Sequence, residues 1–343
     1  MEKRSLEAIL ETNYPAEYEA AAMNAIDTCL QLQPKERFVM ITDEASLPIG
    51  ASILDHVKKV TKRFDVFVLE DFGMRPMRHM PKDILDALYK AKVSIYACTT
   101  QTGELQHRIE MMDVINLNCI RHGHMVNITH DIMLVGMNAD FHKVDEISTR
   151  LIEKTRKASR ITAKTPKGTD LVAEFSPHLN WVKTSGIISP EKWGNLPGGE
   201  IFTSPTRVNG TFVVDGVVGD YLCSKYGDLK DSPLEIIIED SRIVKCFSEN
   251  TELLEEFVQY CMTDENSNRV GEFAIGTNIA LDRVIGNILQ DEKLPGIHIA
   301  FGYPYCEHTG AKWRSSTHID VVGRDFDIWV EDEQVMERGK FIF

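Results

Sequence analysis

The sequence predicts an α/β protein in two parts. These are an N-terminal, mostly parallel α/β domain (1–158) and a C-terminal, strand-rich, mainly antiparallel α+β domain (159–343) carrying a metal site. Three observations predict this. Short apolar runs alternate with helical patterns as far as Leu117, as in a parallel sheet covered by helices. From about Ser159 the strands shorten, with Gly, Pro, Asn and Asp between them, as in hairpins. In the last quarter, Gly271 to Asp320, side chains able to bind a metal are set into apolar, strand-like runs.

The first domain reads element by element. Residues 16–32 are Ala-rich with helical spacing, Arg37–Asp43 is a buried strand, 48–63 a helix and Phe64–Glu70 a strand. A helix at 81–91 precedes a third strand, Val93–Cys98, and another helix fits 105–117. The turn after the first strand, Asp43 to Gly50, holds one glycine and two acids. The GxGxxG turn that brings backbone amides to a dinucleotide is therefore absent, and this domain is expected to be scaffold or substrate wall. His122 and His124 lie two apart, on one face of any strand, and His130 follows. No carboxylate at strand spacing completes a metal shell there, so the three read as polar residues of a domain junction. A helix is expected over 141–158, with Val144, Ile147, Leu151 and Ile152 on one face.

In the second domain, strands are expected at Asp170–Phe175, Thr211–Val218, Glu235–Asp240 and Arg242–Phe247, the last two joined around Asp240-Ser241. One helix, Thr251–Cys261, interrupts, and 326–343 reads as a closing hairpin. Strands of this kind suggest an antiparallel domain of barrel-like character.

Composition narrows the function. With 38 basic against 52 acidic residues the formal charge is −14, which argues against nucleic acid or an anionic membrane as partner. Seven cysteines are scattered without a CxxC pair, as expected of reduced thiols. The N-terminus has no apolar signal core, and no run reaches the roughly 20 apolar residues of a membrane helix. The expected location is cytoplasmic.

The candidate ligands are Glu200, Glu272, His298, His318 and Asp320. His318 and Asp320 are separated by one residue, which on a strand points imidazole and carboxylate the same way. His298 opens an apolar strand, where a buried imidazole needs a partner. Glu272 lies among apolar and small residues, and buried acids are usually paired or metal-bound. The flanking Val270, Phe273 and Ile275 predict that it is shielded from water. Glu200 follows Pro-Gly-Gly, where the backbone has freedom to approach another group. Taken singly, each has an ordinary alternative, an exposed edge acid or a hydrogen-bonded core histidine.

Four motifs carry a resemblance: Leu-Pro-Gly-Gly-Glu200-Ile-Phe-Thr-Ser-Pro, Gly-Glu272-Phe-Ala-Ile-Gly-Thr-Asn, His298-Ile-Ala-Phe-Gly-Tyr-Pro-Tyr305 and His318-Ile-Asp320. In type and order they resemble the thermophilic metallo-aminopeptidase family (aminopeptidases T and S), closely over 170–343 and loosely before it. The resemblance implies a homodimeric two-metal hydrolase, with zinc, cobalt or manganese, that removes N-terminal residues from peptides. It implies Glu200, Glu272, His298, His318 and Asp320 as ligands. Glu272 would be the bridging or base-like carboxylate, and Tyr305 would lie near the reacting carbonyl, with Tyr303 as the alternative one register away. A second resemblance, to ring-cleaving dihydroxypyridine dioxygenases, implies one Fe(II) held by two histidines and a carboxylate. In those relatives the position of Glu272 looks to be a histidine and the His298 motif is missing, so the hydrolase reading is preferred.

Overall fold

The computed structural model describes residues 3–189 and 193–343. It divides into two compact units, Met1–His142 with Gly186–Gly198, and Lys143–Ser185 with Gly199–Phe343.

The first unit is built on a five-stranded sheet in the order Phe64–Val68, Phe38–Thr42, Val93–Ala97, Arg121–His124, Trp193–Asn195. Every neighbouring pair is parallel. Phe38–Thr42 and Val93–Ala97 are buried at every position. That is why they read as unbroken apolar runs rather than alternating ones. Trp193–Asn195, at three residues, is too short to show a period, so only the fold identifies it as a strand.

The turn after the first strand is filled by the protein itself. Asp43, fully buried, accepts from Arg75 at 2.6 Å and from the Thr99 backbone N–H at 2.7 Å. Arg75 also bridges to Glu104 at 2.5 Å. These groups satisfy one another, consistent with a scaffold role. His122 and His124 lie on the Arg121–His124 strand. His122 hydrogen-bonds Ser94 Oγ at 2.8 Å and faces His124 across 3.2 Å. Burial pushes both imidazoles down, His124 to about 3, so both are neutral. His130 pairs with the Tyr18 hydroxyl at 3.1 Å.

The second unit consists of two antiparallel sheets. The larger has eight strands in the order Arg242–Phe247, Leu234–Glu239, Arg207–Val214, Asp170–Glu174, Arg160–Lys164, Asp327–Val330, Glu333–Glu337, Lys340–Phe341. The smaller has five: His318–Val322, Gly296–Gly302, Val270–Gly276, Glu200–Thr203, Val182–Thr184. Both run linearly from edge to edge rather than closing as the expected barrel. One apolar core joins them, with Ile161, Ala173 and Phe212 from the larger sheet and Phe273, Ile299 and Phe301 from the smaller. The strand expected at Thr211–Val218 begins at Arg207 instead. Gly210 reads as a break in the sequence but lies within the ladder. Its φ is +125°, and a β-carbon there would come within 2.1 Å of the Asp170 carbonyl oxygen. Close backbone approach, not a turn, requires that glycine. Among the described residues no helix is long and apolar enough to cross a membrane.

Candidate metal centre

The smaller sheet explains how residues scattered over 120 positions meet. Phe273 and Ile275 face the shared core, which leaves Glu272 and Ala274 for the opposite face. Strict alternation would not also place Val270 in the core. The ladder shifts register between Val270 and Glu272, where a β-carbon on Gly271 would come within 2.1 Å of the Gly302 carbonyl oxygen. Such a bulge re-aims the next side chain, here Glu272. On the neighbouring strand, Ile297, Ile299 and Phe301 are core residues, so His298 and Ala300 share the Glu272 face. On the next, Ile319 and Val321 are core, and His318 and Asp320 take that face. Glu272, Ala300 and Asp320 are aligned in register across three strands. Alanine at the centre, where a larger side chain would fill the space, leaves room between the two carboxylates. Glu200 enters from the other side, paired with Gly276.

All five candidates therefore converge. His298 Nε2 lies 3.4 Å from Glu200 and 3.8 Å from Glu272. His318 Nε2 lies 3.7 Å from the other Glu272 oxygen and 3.5 Å from Asp320. These gaps are longer than hydrogen bonds. They fit two donors facing one ion: at metal–ligand lengths of about 2.1 Å and tetrahedral angles, donor atoms lie about 3.4 Å apart. Among the described residues, two groups of three could each hold an ion, Glu200–Glu272–His298 and Glu272–His318–Asp320. They share Glu272, one oxygen turned toward each histidine. Glu200, Glu272 and His298 are at most 6% exposed. The expected shielding of Glu272 is thus observed.

The surroundings tune these groups. His318 Nδ1 meets the Tyr303 carbonyl at 2.9 Å, which directs Nε2 at the carboxylates. Burial acts to lower both imidazoles, but the carboxylates outweigh it. Glu272, Glu200 and Asp320 carry His298 up to about 8, and Asp320 with Glu272 carries His318 up to about 10. Burial would raise Asp320, yet His318 and His298 hold it down at about 2. For Glu272, burial prevails over the two histidines and its carboxyl is raised.

A pH dependence follows. A divalent ion binds neutral imidazole, so loading must displace the protons of His298 and His318. Metal affinity is expected to rise with pH through about 8 and on toward 10. The two raised imidazoles stabilise the metal-free fold fully below their unfolded value of about 6.5. That contribution is lost as pH rises through 8 and 10. Calorimetry at pH 7 in buffers of different ionisation enthalpy should register proton release on metal binding. Equal heats in all buffers would contradict it.

Tyr305, not Tyr303, faces the centre. Its ring packs edge-on to His318 at 4.8 Å between centroids and contacts Phe202. Burial first, then the charges of Glu272 and Asp320, raise its hydroxyl well above the usual value, so it stays protonated and able to donate. Tyr303 instead hydrogen-bonds Glu307. Sequence reasoning missed Lys293 and Glu292. Lys293 is 1% exposed, its ammonium 2.7 Å from Glu200 and 2.5 Å from Glu292. The signal was present as Asp-Glu-Lys ahead of an apolar strand, but charged triplets are usually solvated. Thr184, likewise missed, donates to Glu200 at 2.9 Å. Beside His318, a cavity of about 480 Å³ is lined by Asp220, Tyr221, Glu256 and Tyr260 among others.

The family model described as thermophilic metalloprotease (M29) matches residues 138–341. Among solved structures, wild-type AmpT from Thermus thermophilus is similar with a TM-score of 0.69 at 16% identity, over 95% of this chain and 99% of that one. A 2,5-dihydroxypyridine dioxygenase from Pseudomonas putida KT2440 is similar with a TM-score of 0.69 at 14% identity, over 94% and 96%. At these identities both likenesses speak to the fold alone. No curated protein matches the sequence.

Proposed function

Because the chain belongs to the thermophilic metalloprotease (M29) family, a family of metal-dependent peptide hydrolases, we propose that it is an aminopeptidase that releases N-terminal residues from peptides at a two-metal centre. The observation that carries this reading is the pair of donor groups sharing Glu272. Glu200 and His298 would hold one ion, His318 and Asp320 the other, with Glu272 between the two groups as the bridging or base-like carboxylate. Three carboxylates against two imidazoles offset much of the charge of two divalent cations. Such cations supply Lewis-acid polarisation of the peptide carbonyl and a water acidified enough to attack at neutral pH.

The chain's own groups complete the reaction. Glu272 takes a proton from the attacking water as its oxygen bonds to the carbonyl carbon, and returns it to the departing amine as the C–N bond breaks. Tyr305 donates to the carbonyl oxygen as charge develops there.

The dioxygenase reading shares the fold, but its iron requires two histidines and one carboxylate. Each donor group here has one histidine and two carboxylates. The test is direct. Purified protein loaded with zinc, cobalt or manganese is expected to bind two equivalents and hydrolyse aminoacyl-p-nitroanilides. One equivalent of iron with oxygen uptake on 2,5-dihydroxypyridine would move the assignment to the dioxygenase.

A further inference from the structure

Lys293 is a full positive charge buried against a site that is to receive cations. Its ammonium meets Glu200 Oε1 at 2.7 Å, and the Thr184 hydroxyl meets the same oxygen at 2.9 Å. That oxygen is occupied. Only Oε2 is directed at His298, at 3.4 Å. Glu200 is therefore limited to one oxygen on its side of the centre. Lys293 has its close partners in Glu200 and Glu292; among the described residues no lysine or arginine pairs directly with His318 or Asp320, and the Lys293 charge reaches Asp320 only from a distance.

We infer that Lys293 is a positioning residue that makes the two halves of the metal centre unequal: the Glu272–His318–Asp320 half fills first, and the Glu200–Glu272–His298 half fills second and more weakly. Two effects act in the same direction. The fixed positive charge beside Glu200 repels an incoming cation, an interaction that falls with distance and weakens before it reaches His318. The hydrogen bonds to Oε1 also remove the second oxygen that a bidentate carboxylate would offer. Glu292 keeps the ammonium in place. The inference rests on the reading of the five donors as a metal centre.

Calorimetric titration with zinc or manganese alone tests it, independently of turnover. The unmodified protein is expected to show two steps separated by about tenfold or more in affinity. His318→Ala should remove the tighter step and His298→Ala the weaker. In Lys293→Met, Thr184 still orients Glu200, so loss of the charge should tighten the weaker step by about tenfold while the tighter step moves by less than about threefold. Lys293→Arg, which keeps the charge, should restore the separation. Two equal steps in the unmodified protein would overturn the inference and leave the metal centre standing. So would loss of the tighter step in His298→Ala, or a weaker step unchanged in a folded Lys293→Met. If Lys293→Met does not fold, the two histidine variants still decide which half fills first. Absence of any divalent binding would overturn the metal centre itself, and the inference with it.

Discussion

Glu272→Gln is expected to reduce turnover of an aminoacyl-p-nitroanilide by at least about 10³-fold, while the protein folds normally. The substitution is nearly isosteric, and its neighbours Phe273 and Ile275 hold the strand in the core. Yet it removes two functions together. A glutamine cannot accept the water's proton, and general-base catalysis alone is worth roughly 10²–10⁴. Nor can it present an anionic oxygen to each histidine, as Glu272 does at 3.8 Å and 3.7 Å. Stability separates the two forms of the protein. Burial makes the Glu272 charge costly in the metal-free state, which is why its carboxyl is raised. The melting temperature of metal-free Glu272→Gln should therefore equal or exceed that of the unmodified protein. The rise in melting temperature that metal produces by binding the folded state should be largely lost. Near-normal hydrolysis by the variant would sink the assignment.

Tyr305→Phe is expected to lower kcat by roughly 10²–10³-fold, the usual cost of one oxyanion donor, with metal content unchanged. The ring keeps its edge-on contact with His318 in the variant, so only the hydroxyl is deleted. Tyr305 has φ 48° and ψ 57°, a left-handed conformation uncommon for a bulky residue. Such strain persists only where the surroundings enforce it, and here it keeps the ring against His318 and Phe202. Tyr303→Phe is the control. Its hydroxyl is engaged with Glu307, and its loss should change kcat by less than about threefold. Equal effects of the two variants would remove Tyr305 from the mechanism.

Period-2 logic was sufficient for part of the site. His318 and Asp320 share a face because strand geometry puts residues i and i+2 there, and the 3.5 Å between them follows. Local patterning likewise disclosed the parallel strands, whose burial on both faces leaves unbroken apolar runs. An acid amid apolar neighbours foretold a buried Glu272, since an exposed acid would not need that setting. The side that Glu272 faces was another matter. Val270, Phe273 and Ile275 do not alternate, and the bulge at Gly271 that reconciles them belongs to the pairing with the next strand.

What the sequence determined by itself was the kind of residue in each place: carboxylates and imidazoles in apolar strands, two of them locked together by spacing. What only the tertiary structure decided was their company. Strand order brings Glu200, Glu272, His298 and Asp320 side by side across 120 positions of chain. It selects Tyr305 over Tyr303 through a left-handed turn, and it folds Lys293 back onto Glu200. Side-chain direction along a strand is a local property, fixed by the pleat. Which strands become neighbours is set by burial of a shared core, and that is a sum over the whole chain.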